Sequence, residues 1–459
     1  MEIVYKEKVN SSVTFSRMLR LAVPVLLSMF SLNVMVFVDR AFVAKYDLVQ
    51  FAATLPASNL ATSFANLFIG LIGFASVLIS QYYGAGQYGK CALSMWQGVY
   101  LSFLFSAILL VSAPGVSGIF GLMGHSGELL QHEKHFFYLM ILSSCAQLFV
   151  TAFSGIYRGI GSTMTILVVG VFVNILNILL DWLLIFGRGG LPELGGIAGS
   201  GFATLISTAA GAITYIGLLN RAKMKEKYGI FSHVKINKDL IFKLLRFGLP
   251  AGVQTFAGSG YFTLLLLFVG KTGELNLSAA NIAFTIEGIS IIPVWGLGAA
   301  VSIIAGQEKG AGRADQVGEA LKKGLLVGLV INLAIIAVYN LFPRELISLF
   351  GAGEQSQMFD RVMDLTLPLI RITSLWIVFD TLQIVVGNVL RAMGDTVFMM
   401  TISLVVPILF YALFPYFLTR IDWIPLYWVW LDLLLYTFVM LGLVFFRYLE
   451  GKWKRMELI

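Results

Sequence analysis

Apolar runs of roughly 18 residues or more, each long enough to cross hydrocarbon as a helix, recur twelve times along this chain. No water reaches peptide groups inside a bilayer, so a spanning segment must bond its own backbone or close into a barrel. The two-residue alternation of barrel strands is absent, which leaves helices. The spans are predicted at 18–43, 52–80, 92–114, 134–157, 163–187, 196–219, 247–270, 278–305, 317–342, 361–390, 396–419 and 425–447. With 58% hydrophobic and only 12% charged residues, the chain lacks the charged surface a soluble domain needs. The first run, from Leu19, is too long for a cleaved leader and is expected to remain as the first span. Turns are expected at Gly84-Ala85-Gly86, at Gly189-Gly190 with Pro192, and at Gly351-Ala352-Gly353.

The net charge of +7 follows topology rather than a nucleic-acid face. If the N-terminus is placed in the cytoplasm, 23 of the 32 Lys and Arg residues fall on that side, eight of them in 220–246. The opposite side holds seven, and Arg40 and Arg371 lie within spans. The positive-inside rule then predicts both termini in the cytoplasm of a cell whose inner membrane holds the protein. In this count Arg158 and Arg391 are turn residues at span ends.

The chain is internally duplicated. A shift of 226 residues lays Arg20 on Arg246, Pro24 on Pro250, Ala53 on Ala279 and Gly70 on Gly296. It also lays Gln81, Gly84, Ala85 and Gly86 on Gln307, Gly310, Ala311 and Gly312. A shift of 233 lays Arg158, Gly161 and Thr163 on Arg391, Gly394 and Thr396. Each copy holds an even number of spans, so both share one orientation and are related by an axis along the membrane normal. The expected fold is an all-α membrane protein. It has twelve transmembrane helices in two six-helix lobes, 1–219 and 247–459, joined by a cytoplasmic linker, 220–246.

A charge at the bilayer centre costs about 2.5–3.5 kcal/mol on insertion scales, so intramembrane acids are functional candidates. There are five: Asp39, Asp181, Glu287, Asp380 and Asp432. Asn174, Asn177 and Asp181 are spaced three and four apart and share one helical face. Such a stripe can hold a proton or cation, or equally knit helices together by hydrogen bonds. Asp39 lies late in the first span, as a coupling acid or a solvated boundary acid; Arg40 beside it points elsewhere on a helix. Asp380 lies between Thr373 and Gln383 in a polar stripe, and overlies Gln147 under the 233 shift. Glu287 has Ser290 one turn on. Either could serve a substrate or second cation, or a structural contact, and Asp432 is assigned a structural role.

Several patterns fail on context. Gly84 to Lys90 has phosphate-loop spacing, but Cys91 stands where a hydroxyl would hold magnesium. His132 and His135, placed in an external loop, lack the spacing of a zinc helix, and Cys91 and Cys145 form no disulfide framework. No nucleophile–base pair is visible, and no enzyme is predicted. The 36 Phe, 17 Tyr and 16 Met residues must in part line any cleft. Ring faces and thioethers there suit flat organic cations.

An ordered set of motifs across nearly the whole chain resembles the multidrug and toxic compound extrusion (MATE) family. It comprises Pro24, Val38-Asp39-Arg40-Ala41-Phe42-Val43, Gln81 to Gly86, Tyr157-Arg158-Gly159-Ile160-Gly161-Ser162-Thr163, and Asn177 to Asp181 with Ile185-Phe186-Gly187. Pro192 to Gly196 and Leu390-Arg391-Ala392-Met393-Gly394-Asp395-Thr396 complete it. The resemblance implies two six-helix lobes that expel mostly cationic, amphipathic compounds using a proton or sodium gradient, with Asp39 as a proton-coupling residue. The family commonly has Asp-Thr near the end of the first span, where Arg40 follows Asp39 here. Some sodium-coupled members carry a Glu on the seventh helix, where this chain has Gly258, paired with a tenth-helix acid, here Asp380.

The expected function is cation-coupled antiport by alternating access, with H+ preferred to Na+. Coupling is assigned to Asp39, Asp181, Asn177 and Asn174, with Na+ at Asp39 and Asp181 as the one metal ion considered. A substrate or second cation site is assigned to Asp380, Glu287 and Gln383. No cofactor beyond the coupling ion is expected, and the partners are small organic substrates and lipid around a monomer. One alternative is a lipid-linked precursor flippase of the same superfamily, which needs a cationic cleft for a pyrophosphate. Only Arg40 and Arg371 lie within the predicted spans to form one. Another alternative is an ion channel.

Overall fold

A computed structural model describes residues 13–190, 192–351, 357–420 and 426–459. Lys6 and Lys8 of the basic N-terminal segment, Ala352 and Gly353 of an expected turn, and the expected start of the last span at 425 lie outside them. Twelve described helices are long and apolar enough to span a membrane. They are α1 (Phe15–Tyr46), α2 (Leu48–Gly84), α3 (Tyr88–Leu122), α4 (Gly127–Gly159), α5 (Thr163–Ile185) and α6 (Gly196–Leu219). The second set is α7 (Lys238–Gly270), α8 (Glu274–Gly310), α9 (Ala314–Leu341), α10 (Gln357–Met393), α11 (Thr396–Leu418) and α12 (Tyr427–Leu449).

Most helices outrun the predicted spans, because backbone bonding continues through polar flanks until a cap stops it. Thr14, Asp47 and Asn237 supply such caps, each accepting the backbone N–H three residues on, from Arg17, Gln50 and Leu240. α2 breaks at Phe74, α8 at Ile291, and α11 contains a π-helical segment, Ile408–Leu413. His132 and His135 sit on the first turns of α4 rather than in a loop, since the helix begins at Gly127.

The two copies pack alike. α4 packs against α2, α3 and α6, and its counterpart α10 packs against α8, α9 and α12. The lobes meet where α2 crosses α7 and α1 crosses α8, two contacts that the pseudo-twofold exchanges. Glycines allow the first crossing: a Cβ at Gly252 would lie 2.0 Å from the Leu67 carbonyl oxygen, and one at Gly248 2.6 Å from that of Leu71.

The face carrying residues 220–246 is closed by a symmetric latch. A Cβ at Gly84 would lie 1.9 Å from the Gln307 carbonyl oxygen, and one at Gly310 1.9 Å from that of Gln81. At this approach the Gln81 side chain donates to Ala392 O at 2.7 Å, and Gln307 donates to Gly159 O at 2.9 Å. Each lobe thus holds the end of the other's central helix. Arg17 of α1 adds an ion pair to Glu308 at 2.7 Å and donates to the Gln307 side-chain oxygen Oε1 at 2.8 Å. Trp96 and Gln97 of α3 anchor the 220–246 segment through Ile230 O, Lys235 O and Asn237 N–H.

A leucine at Gly310 cannot fit against the Gln81 backbone. Gly310→Leu is therefore expected to open this face, lengthening the distance between spin labels at Lys90 and Lys322, one on each lobe. A distance distribution identical to the unsubstituted protein's would show that the crossing does not hold the lobes together.

Candidate cation-coupling site

The first lobe gathers its polar residues where α1, α5 and α6 meet. α6 is rich in small residues and sits close to its neighbours; a Cβ at Gly199 would lie 2.8 Å from Ile185 Cα. This proximity brings the Ser200 hydroxyl to Asp39 Oδ1, to which it donates at 2.5 Å. Asp181 is fully buried on α5. With its amide oriented to satisfy both ends, Asn177 donates to Asp181 Oδ2 at 3.1 Å and accepts from the Thr204 N–H at 3.2 Å. Asp181 Oδ1 is buried and has no hydrogen-bond donor among the described residues. Asp39 and Asp181 lie within electrostatic reach of each other. Asn174 donates to Ser31 of α1 at 2.9 Å. Arg40 makes no hydrogen bond to Asp39 among the described residues.

A cavity of about 440 Å³ opens beside this group. Asn174 and Thr204 line it, together with Ser207, Thr208, Met29 and Met35. The carboxylates stand behind that wall, connected to it through Asn177 and Thr204. All four residues assigned to coupling therefore converge. Ser200 and Thr204 were missed, although Ser200, Thr204 and Ser207 repeat at four and three on α6 and form the same kind of stripe as Asn174, Asn177 and Asp181.

The second lobe holds a separate acidic group. Glu287 and Asp380 lie within electrostatic reach of each other, and Tyr411 lies within reach of both and of Asp432. Asp432 Oδ2 is buried with no donor among the described residues. Asp432, assigned a structural role from the sequence, is brought by α12 within reach of Tyr411, a proximity that spacing along one helix does not report. Tyr339 donates to Ser290, one turn from Glu287, at 2.7 Å. Gln383 makes no hydrogen bond to this group among the described residues.

Arg158 and Arg391 depart from the turn positions expected for them. They occupy the last turns of α4 and α10, and both line a second cavity of about 420 Å³ between the lobes. The span-end positions are as expected; the inward direction of the side chains depends on which face each helix turns toward the other lobe. Among the described residues, no group of three or more His, Cys, Asp or Glu side chains is placed to hold a metal ion.

The MatE family pattern matches the chain twice, over residues 24–183 and 250–417, starting at the two aligned prolines. The chain belongs to the MatE family. Its similarity extends to the Vibrio cholerae multidrug resistance protein NorM, 26% identical over 83% of this chain and 82% of that one. The probable multidrug resistance protein NorM of Thermotoga maritima is 25% identical over 72% of this chain and 70% of that one. Among solved structures, an outward-facing multidrug resistance MATE transporter superposes with TM-score 0.85 at 19% identity, covering 97% and 96% of the two chains. A MATE crystal structure in the straight conformation gives 0.84 at the same identity and coverage. MatE proteins are membrane transporters, and this one is not an enzyme.

Hydrogen bonds to a charged group contribute about 1.5–3 kcal/mol, roughly tenfold or more in an equilibrium. Ser200→Ala, which strips Asp39 of its donor, is expected to reduce efflux about tenfold at an unchanged level in the membrane, measured by dye efflux beside an immunoblot. Efflux equal to the unsubstituted transporter's would remove Ser200 from the coupling site.

Proposed function

We propose that this MatE transporter is a proton-coupled antiporter that exports small amphipathic organic compounds by alternating access. Its relatives named for multidrug resistance support the drug-export part of this assignment. The single observation that carries proton coupling is the Asp181 carboxyl, fully buried, with one oxygen lacking any donor among the described residues. A buried acceptor without a donor is costly, and a bound proton removes that cost. Asp39 nearby disfavours two simultaneous charges, so the two acids act as one unit that gains and loses a positive ion. Asn177 and Thr204 connect that unit to the cavity wall. Loading it alters the hydrogen bonds among α1, α5 and α6, and the two lobe arrangements need bind the ion with different affinity only for its gradient to drive export.

The charge distribution supports placing the closed, linker-bearing face in the cytoplasm, with both termini there. The arrangement is then outward-open, with Gln81 and Gln307 holding the inner gate. The methionines that line the first cavity suit flat, poorly specified compounds, cations among them. The acids of the second lobe, Glu287, Asp380 and Asp432, are assigned to a second cation or to a substrate amine.

In proteoliposomes, an imposed pH gradient is expected to drive dye transport and a sodium gradient alone is not. Asp39→Asn and Asp181→Asn should each abolish proton-driven transport with insertion intact, and the double variant should be no worse than either. Transport driven by sodium alone, or proton-driven transport retained by either Asn variant, would overturn the assignment.

A further inference from the structure

The cavity between the lobes has one sign of charge. Of its lining residues, Arg158 and Arg391 are charged, and no Asp or Glu lines either this cavity or the first one among the described residues. Ile69, Gln147, Thr151 and Arg158 line both, so the two spaces adjoin. The pseudo-twofold relates the two arginines, one from each lobe, and also relates Ser76 to Ser302 on the same walls.

Neither arginine has a carboxylate partner among the described residues, and Arg391 Nε is buried without an acceptor. The ordinary structural role of an Arg in a helix's last turn is to bond the final carbonyls. Here the carbonyls that follow, Gly159 O and Ala392 O, are taken by Gln307 and Gln81. The neighbouring hydroxyls spend their protons on their own helices: Ser76 on Gly73 O, Ser80 on Val77 O, Thr151 on Gln147 O and Thr255 on Ala251 O. Asn388 likewise donates to Ile384 O. The guanidinium groups are the charged donors left facing the space, and two like charges over one cavity call for a counter-charge.

We propose that Arg158 and Arg391 together form a subsite for an anionic group of the transported compound, a carboxylate or phosphonate. The proposal rests on the export assignment and assigns these two residues a role in the same cleft. The apolar body of such a compound lies toward the methionine-lined cavity, and its anionic end lies at the arginines, directly above the Gln81–Gln307 latch.

The test uses a rhodamine free acid and its methyl ester, which share one ring system and differ in the carboxylate. Binding to the purified full-length transporter is read by fluorescence anisotropy, and transport by proton-driven uptake in proteoliposomes. The unsubstituted protein is expected to bind the acid about tenfold more tightly than the ester, about 1.4 kcal/mol. Arg158→Gln and Arg391→Gln should each weaken the acid about tenfold and leave the ester within twofold. Arg158→Lys should retain part of the preference, because it keeps the charge and loses the fork. Equal affinity for acid and ester in the unsubstituted protein would overturn the site. So would a Gln variant that weakens both dyes equally, which marks a structural role. If neither dye moves under a gradient while the acid preference and its loss in the Gln variants persist, export fails and the anion site stands. If both dyes move and the Gln variants keep the preference, the reverse holds.

Discussion

Hydrocarbon offers no hydrogen bonds, so polar groups within the spans must find partners inside the protein or face a water-filled space. That constraint sorts the interior into three kinds of place. Hydroxyls along the helices bond carbonyls of their own preceding turn, as Ser102, Ser143 and Thr366 do. Carboxyls pair in each lobe, Asp39 with Asp181 and Glu287 with Asp380, and Asp181 Oδ1 and Asp432 Oδ2 have no donor among the described residues. Arginines at the ends of α4 and α10 turn into the space between the lobes. The first kind builds the scaffold. The other two keep unmet valence, and unmet valence is what an ion or a substrate can satisfy.

The latch ties the two lobes together at one end of the space between them. Gln81 and Gln307 reach across the interface to carbonyls at the ends of the opposite lobe's central helix, and glycines at 84 and 310 let the backbones touch. These side-chain contacts are polar and symmetric, with the Arg17–Glu308 ion pair beside them. Apolar packing holds the helices of each lobe together and also crosses the interface, where Met18, Leu21 and Ala22 of α1 join one core with Leu297, Ala300 and Ile304 of α8.

The two acidic clusters were legible to different degrees. Asn174, Asn177 and Asp181 announce themselves because helical spacing places them on one face, and α5 does present that face to α1 and α6. Ser200 carried the same kind of signal in a stripe of small residues, but hydroxyls are common in membrane helices and do not stand out. Asp432 of α12, Glu287 of α8 and Asp380 of α10 are related only through Tyr411 of α11, a relation set by packing and not by spacing along one helix. Arg158 and Arg391 were placed correctly at span ends, while their inward direction depended on how α4 and α10 face the opposite lobe.

The amino-acid sequence by itself determined the number of spans, the duplication, the orientation bias and the candidate acids. Each of these follows from residue type and spacing along one segment, which hydrophobicity and helical geometry convert directly into structure. Only the tertiary structure decided which acids meet, which hydroxyl holds Asp39, and which charges border the cleft. Those depend on the rotation and crossing of one helix against another, set by steric fit at glycines such as Gly199 and Gly252, and no periodicity within a single helix encodes the partner's register.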